Sequence, residues 1–238
     1  MDRTGGTLLG GRVVYTQLAA GYRTGIEPVL MAAAVPAKAG DTVLEGGCGA
    51  GAALLCLLHR LPGVRGLGIE LDADMAALAR DNVRANGADA EIMEADVMDL
   101  AALPAKVDHA MANPPWRDPA STPSPDPKRR LALQGHGPDW IAPLAASLTP
   151  RGTLTLIVPA RACAAAMAAL HGAGLGRIVL CPLWPRQGAE AGIVLLQARR
   201  GVLASRVVAG LTLHGAGAAF TPEADAILRG GAALGLPG

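Results

Sequence analysis

The sequence predicts an α/β protein with a doubly wound parallel sheet, and three observations lead there. From about residue 41, short β-rich runs alternate with Ala-rich helical stretches, the pattern of βαβ units. A glycine-rich loop, Gly46-Gly47-Cys48-Gly49-Ala50-Gly51, stands directly between a strand and a helix. The tetrapeptide Asn113-Pro114-Pro115-Trp116 closes a later strand, since two prolines cannot continue a central one. Right-handed crossovers between the strands then give helices on both faces.

The elements follow in order. Thr42-Val43-Leu44 is a first strand, and the glycine loop turns into a helix ending near Pro62. Gly66 to Ile69 is a second strand, followed by a helix from Ala73 to about Asn86 with Gly87 as its C-cap. Ala90 to Met93 and Val107 to Ala112 are the third and fourth strands. Pro150-Arg151-Gly152 reads as a turn before a strand from Thr153 to Val158, and Ile193 to Gln197 gives another. The 238 residues fit one domain, with a core over 40–200. Residues 1–39 form an N-terminal extension holding a Gly-rich strand-like start and an apolar helix around Val29 to Val35. Residues 201–238 add a strand, Leu211 to His214, and a helix with Thr221 as N-cap and Pro222 at the first helical position. These additions are expected to tune substrate binding or to cover the sheet.

Composition narrows the function classes. With 51% hydrophobic and 17% charged residues, the chain can bury a sizeable core. No apolar run reaches the roughly 18 residues needed to span a membrane, and the amino terminus lacks a secretory layout, so a cytoplasmic location follows by default. Cys48, Cys56, Cys163 and Cys181 are widely spaced and the five histidines scattered; free thiols and no metal site are expected. A net charge of +1 leaves any nucleic-acid contact to a local basic patch.

The glycine loop marks a cofactor site. Gly47, Gly49 and Gly51 let the backbone turn sharply and let a ligand touch it. The dinucleotide fingerprint G-x-G-x-x-G is missed by one residue, and Glu45 precedes the loop. A carboxylate there suits a ligand bearing an amine and a sulfonium and repels a pyrophosphate. Glu70, nineteen residues after Gly51, ends the second strand, where it can accept both ribose hydroxyls of an adenosine, with Leu71 beside it. Asp96 after the third strand can accept from an adenine amino group, with Val97 in the same pocket.

Asn113-Pro114-Pro115-Trp116 suits transfer of a methyl group from such a sulfonium to an exocyclic amine. The attacking amine needs acceptors that fix its hydrogens, and the Asn113 side-chain carbonyl and Pro114 backbone carbonyl can supply two. Trp116 can stack on a planar target, worth about 1–3 kcal/mol. Orientation and electrostatics would carry the rate without a covalent intermediate or a strong base. The Pro-rich stretch from Arg117 ends in Lys128-Arg129-Arg130, which can meet phosphates.

Together, Glu45 to Gly51, Glu70, Asp96 and Asn113 to Trp116 resemble the Rossmann-like class I amino-methyltransferases, and most closely the bacterial tRNA (valine) adenine-N6 methyltransferase family. Gly21-Tyr22-Arg23-Thr24-Gly25-Ile26-Glu27-Pro28 resembles that family's lead into its first helix, which implies Arg23 at the cofactor. Phe220-Thr221-Pro222-Glu223-Ala224 with Ile227-Leu228 resembles its terminal segment. Glu45 and Glu27 stand where Asp is expected, and Trp116 replaces Tyr or Phe. The resemblance implies S-adenosyl-L-methionine as cofactor, S-adenosyl-L-homocysteine as product and an adenine amino group beside a tRNA anticodon as acceptor. A single-stranded loop makes base flipping cheap. A glutamine amide of a translation factor needs the same acceptor geometry, so the tetrapeptide does not separate the two. A guanine amino group of ribosomal RNA, a small-molecule amine and a non-catalytic nucleotide-binding module are further alternatives.

Overall fold

A computed structural model describes residues 2–19, 24–99, 106–116, 137–201 and 204–237. An antiparallel hairpin of β1 (Arg3–Leu8) and β2 (Val13–Leu18) comes first, then α1 (Glu27–Ala34). The core alternates β3 (Thr42–Gly46), α2 (Ala52–Arg60), β4 (Arg65–Glu70), α3 (Ala73–Asn86), β5 (Ala90–Glu94) and β6 (Val107–Ala112). After the 3-10 turn Gly137–Trp140 come α4 (Ile141–Ser147), β7 (Leu148–Pro159), α5 (Cys163–Gly172), β8 (Leu175–Arg186) and β9 (Ile193–Arg200). The chain closes with β10 (Ser205–Val207), β11 (Leu211–His214) and α6 (Pro222–Leu228).

The other nine strands form one sheet in the order β10-β8-β9-β7-β6-β3-β4-β5, with β11 also on the outer side of β8. The doubly wound expectation holds, with one difference: β9 runs antiparallel between β7 and β8, so the sheet is mixed. Strand alternation sorts side chains to two cores. Val43, Met111 and Ile157 join α1, α2 and α3 on one face, while Leu44, Ala110, Leu154 and Leu156 join α4 and α5 on the other. The winding reverses between β3 and β6, and Gly46 is there in register with Ala112. The glycine loop and Asn113 therefore leave adjacent strands at the same level, at the switch point where such sheets bind ligands.

Local chemistry sets the boundaries. Asp72 caps α3 by accepting from the Asp74 and Met75 amides, and Gly87 ends the helix at φ +57°. Thr221 caps α6 through the Ala224 amide, 3.1 Å away, with Pro222 following as expected. Residues Pro150 to Gly152 do not make a free-standing turn. They are a bulge inside β7, where pairing shifts between Val107↔Leu148 and His109↔Thr153. A Cβ on Gly152 would lie 2.8 Å from the Asp108 carbonyl oxygen, so the bulge requires glycine there. The terminal additions cover and extend the sheet: α6 joins α1 in one core, and β10 and β11 lie along the edge of β8.

Candidate functional site

The glycine loop is held from both sides. Gly47, Gly49 and Gly51 all take positive φ, at +67°, +55° and +86°. The Cys48 amide donates to the Ile69 carbonyl and the Gly51 amide to that of Cys48. Glu70 accepts the Gly49 amide on Oε2 at 2.8 Å and the Asp72 amide on Oε1 at 2.9 Å. Burial raises the Glu70 carboxyl above its ordinary value, against the pull of those two amides. Each oxygen keeps lone-pair capacity for a diol.

Glu45 points inward. Its carboxylate is 5% exposed and accepts the Leu54 amide at 2.9 Å, which supplies the cap that Gly51 cannot give to α2. Burial pushes its carboxyl up to about 8, with a further rise from the nearby charge of Glu70 and a counterpull from the Leu54 amide. The sequence suggested a carboxylate facing a ligand. The structure makes it first a support of the loop.

Leu71 and Met98 are about half exposed just beyond the ends of β4 and β5, at 48% and 47%. Exposed apolar side chains after the ends of these neighbouring strands can offer faces for a planar ring. Asp96 is exposed and accepts the Met98 amide at 2.9 Å in an Asx turn, which leaves Oδ2 without a bond to the backbone. Val97 is buried behind Gly46. These residues fit an adenosine: a diol acceptor at Glu70, apolar faces after the strand ends, a carboxylate at Asp96.

Asn113 is exposed, and among the described residues its side chain makes no hydrogen bond. Pro114 and Pro115 are buried and fix the strand end behind it. Trp116 packs against Gly137, where an added Cβ would lie 2.7 to 2.9 Å from the indole. Its Nε1 is buried with no hydrogen-bond partner among the described residues. The Arg161 guanidinium, from the turn after β7, donates to the Trp116 carbonyl at 2.9 Å and steadies the tetrapeptide. Arg23, Arg117, Lys128, Arg129 and Arg130 lie outside the described residues.

Three parts of the site were not foreseen. Trp140 stands over the first glycine: an added Cβ on Gly47 would lie 2.6 Å from both Cη2 and Cζ3 of its ring. Arg161 is the second. Third, Asn82, 2% exposed on α3, donates to the Ala50 carbonyl of the loop at 2.9 Å. It also bonds both backbone groups of Thr16, so it ties the N-terminal hairpin to the loop. Contacts far apart in sequence leave no local pattern, though an Asn in mid-helix was a visible oddity. Thr24, just past Arg23, is anchored as well, 2.7 Å from the hydroxyl of buried Tyr15. No cluster of three or more metal-ligating side chains exists among the described residues, and no described helix is long and apolar enough to cross a membrane.

Residues 43–121 match a family described as a methyltransferase domain. A release factor glutamine methyltransferase of Cereibacter sphaeroides is 31% identical over 153 residues, 59% of this chain and 55% of its own length. The chain thus spans about half the length of that curated relative. The crystal structure of a predicted O-methyltransferase from Agrobacterium tumefaciens is similar at TM-score 0.72 and 29% identity, over 87% of this chain and 97% of its own. A 16S rRNA N2 methyltransferase of Thermus thermophilus, solved with adenosylmethionine and guanosine, shares the fold at TM-score 0.58 and 19% identity, over 84% of this chain and 50% of its own. With the loop, the strand order and the switch-point geometry described above, these likenesses give the chain the Rossmann-like fold of class I methyltransferases, which bind S-adenosylmethionine.

Proposed function

We propose that the chain moves the methyl group of S-adenosylmethionine to an exocyclic amine, and that the acceptor is adenine N6 in a tRNA anticodon loop. The observation that carries this is Asn113: an exposed side-chain carbonyl, without a hydrogen-bond partner among the described residues, one strand over from the glycine loop. An acceptor in that place fixes the amine hydrogens and turns the lone pair along the sulfur–methyl axis. The Pro114 carbonyl is the second acceptor, and neither proline offers a competing donor. Glu70 holds the ribose hydroxyls, Leu71, Asp96 and Val97 hold the adenine, and the loop from Gly47 to Gly51 supports the methionine end, where the family resemblance also assigns Arg23. Trp116 presents the aromatic surface against which a flipped base is held. Arg117, Lys128, Arg129 and Arg130 meet phosphates of the same RNA. Nitrogen attacks the methyl carbon as the carbon–sulfur bond breaks, and the nitrogen's proton leaves to solvent, so no strong base is needed.

The preference for tRNA rests on the two terminal segments and their likeness to the adenine-N6 family. A glutamine amide of a release factor is the second reading, favoured by the Cereibacter relative and by the shared geometry of amide and base amine.

Tritiated methyl transfer to bulk tRNA from a host lacking this activity, followed by nucleoside analysis, tests the reading. Label in N6-methyladenosine is the expected result. Label in a release-factor glutamine and none in tRNA would overturn the acceptor and keep the chemistry. Asn113→Ala should bind the cofactor normally and lose about 10²- to 10³-fold in kcat, the scale of one preorganised hydrogen-bonding group. Unchanged turnover would remove Asn113 from the mechanism.

A further inference from the structure

A pocket for a sulfonium must favour a cation, and the carboxylates around this loop already accept backbone amides. Glu45 is buried against the Leu54 amide. Glu70 accepts the amides of Gly49 and Asp72, and Asp72 accepts those of Asp74 and Met75 at the start of α3. What stands over the first glycine is an aromatic ring. The Trp140 indole fills the place a Gly47 side chain would take, against the loop backbone, and keeps part of its surface open. Its position is fixed from below. The next residue, Ile141, is fully buried, and Leu144 one turn on packs at Gly46 with Cδ2 3.1 Å from an added Cβ.

We infer that Trp140 is the cation-reading wall of the cofactor pocket, its indole face turned to the methylsulfonium end of S-adenosylmethionine. The inference rests on the cofactor reading and is independent of the acceptor. A ring quadrupole attracts a cation and leaves a neutral thioether nearly unaffected. The wall therefore favours the charged donor over the neutral-sulfur product and hastens exchange of one for the other. A cation–π contact of ordinary strength corresponds to about a 2- to 30-fold preference.

Calorimetry with S-adenosylmethionine and S-adenosylhomocysteine tests this on the wild type, Trp140→Phe and Trp140→Leu, without any acceptor. Trp140→Leu should weaken the methionine form about 2- to 30-fold and leave the homocysteine form within about twofold. Trp140→Phe, which keeps a ring and fills most of the space, should retain part of the preference and guards against a packing failure in the leucine variant. Equal weakening of both ligands would make Trp140 a steric wall and overturn the inference, as would no weakening of either. A wild type that bound neither ligand would instead overturn the cofactor reading beneath it.

Discussion

Glu45 shows how one residue serves two ends. Its carboxyl is pushed up to about 8 by burial, from an ordinary 4.5, so near neutral pH it holds its proton while accepting the Leu54 amide. Because the folded value is the higher one, Glu45 contributes most to stability below 4.5, and that contribution fades as pH rises through about 8. A cation arriving at the loop favours the ionised form and lowers that value. Binding of S-adenosylmethionine near neutral pH should therefore release a proton, and affinity should climb with pH until it levels off above about 8. Titration in two buffers of different ionisation heat measures the release directly. Identical heats in both would rule out the coupling, and Glu45→Gln should abolish it. The acidic residue stood out in the sequence from its place before the glycines. Its inward turn was not, because that depends on an amide nine residues further on.

At the scale of elements, the N-terminal hairpin is joined to the catalytic core through α3. Asn82 and Asn86, one helical turn apart, bond both backbone groups of Thr16 and Val14, so two side-chain amides stand in for a neighbouring strand. Only Asn82 reaches the cofactor loop as well, at Ala50. Asn82→Ala leaves a buried carbonyl unpaired, costing about 1–3 kcal/mol, and should raise KM for the cofactor more than it lowers kcat. Asn86→Ala loosens the hairpin alone and should move KM less. Equal effects of the two would shift the role from the loop contact to the hairpin as a whole. Elements with strong local signals were readable: α3 between Asp72 and Gly87, β6 before its two prolines, α6 behind Thr221. Strand β8 was hidden by Pro182. That proline falls where β10 has stopped at Leu180 and β11 has not begun at Leu183, so the outer ladder is already interrupted there. Helix α5 was hidden because Ala162 gives it no side-chain cap. Its run of alanines shows no face, and only Ala166 and Leu170 are buried.

Across the whole molecule, the two cores are joined by a sheet whose far side from the glycine loop carries a buried polar cluster. His109 in β6 lies 2.7 Å from the Thr153 hydroxyl and 3.2 Å from Asp41, and Asp41 also accepts from Lys38. Asp108 beside it accepts the Thr42 amide. The arrangement outwardly resembles a nucleophile–histidine–carboxylate chain, but Thr153 is 2% exposed, so it joins strands and meets no substrate. Burial lowers His109 below its ordinary 6.5, and the bond and charge of Asp41 only partly restore it. Burial alone would raise Asp41, but the Lys38 bonds with that from His109 outweigh it and hold the carboxyl below 3.8. Both groups therefore take up protons more readily in the unfolded chain, and the stability that these two contribute is greatest above about 6.5 and falls as pH drops. His109 accounts for the first part of that loss, and Asp41 for a second part below about 3.8. Because Glu45 changes stability the opposite way with pH, the test is the gap in urea midpoint between the wild type and His109→Gln, which should narrow from about pH 7.5 down to about pH 5. His109→Gln should be less stable at neutral pH by about 1–3 kcal/mol, because Asp41 and Thr153 lose a partner, and closer to the wild type toward about pH 5. A gap that stayed constant on acidification would place the acid-sensitive group elsewhere, and a gap that widened would contradict the direction assigned to His109.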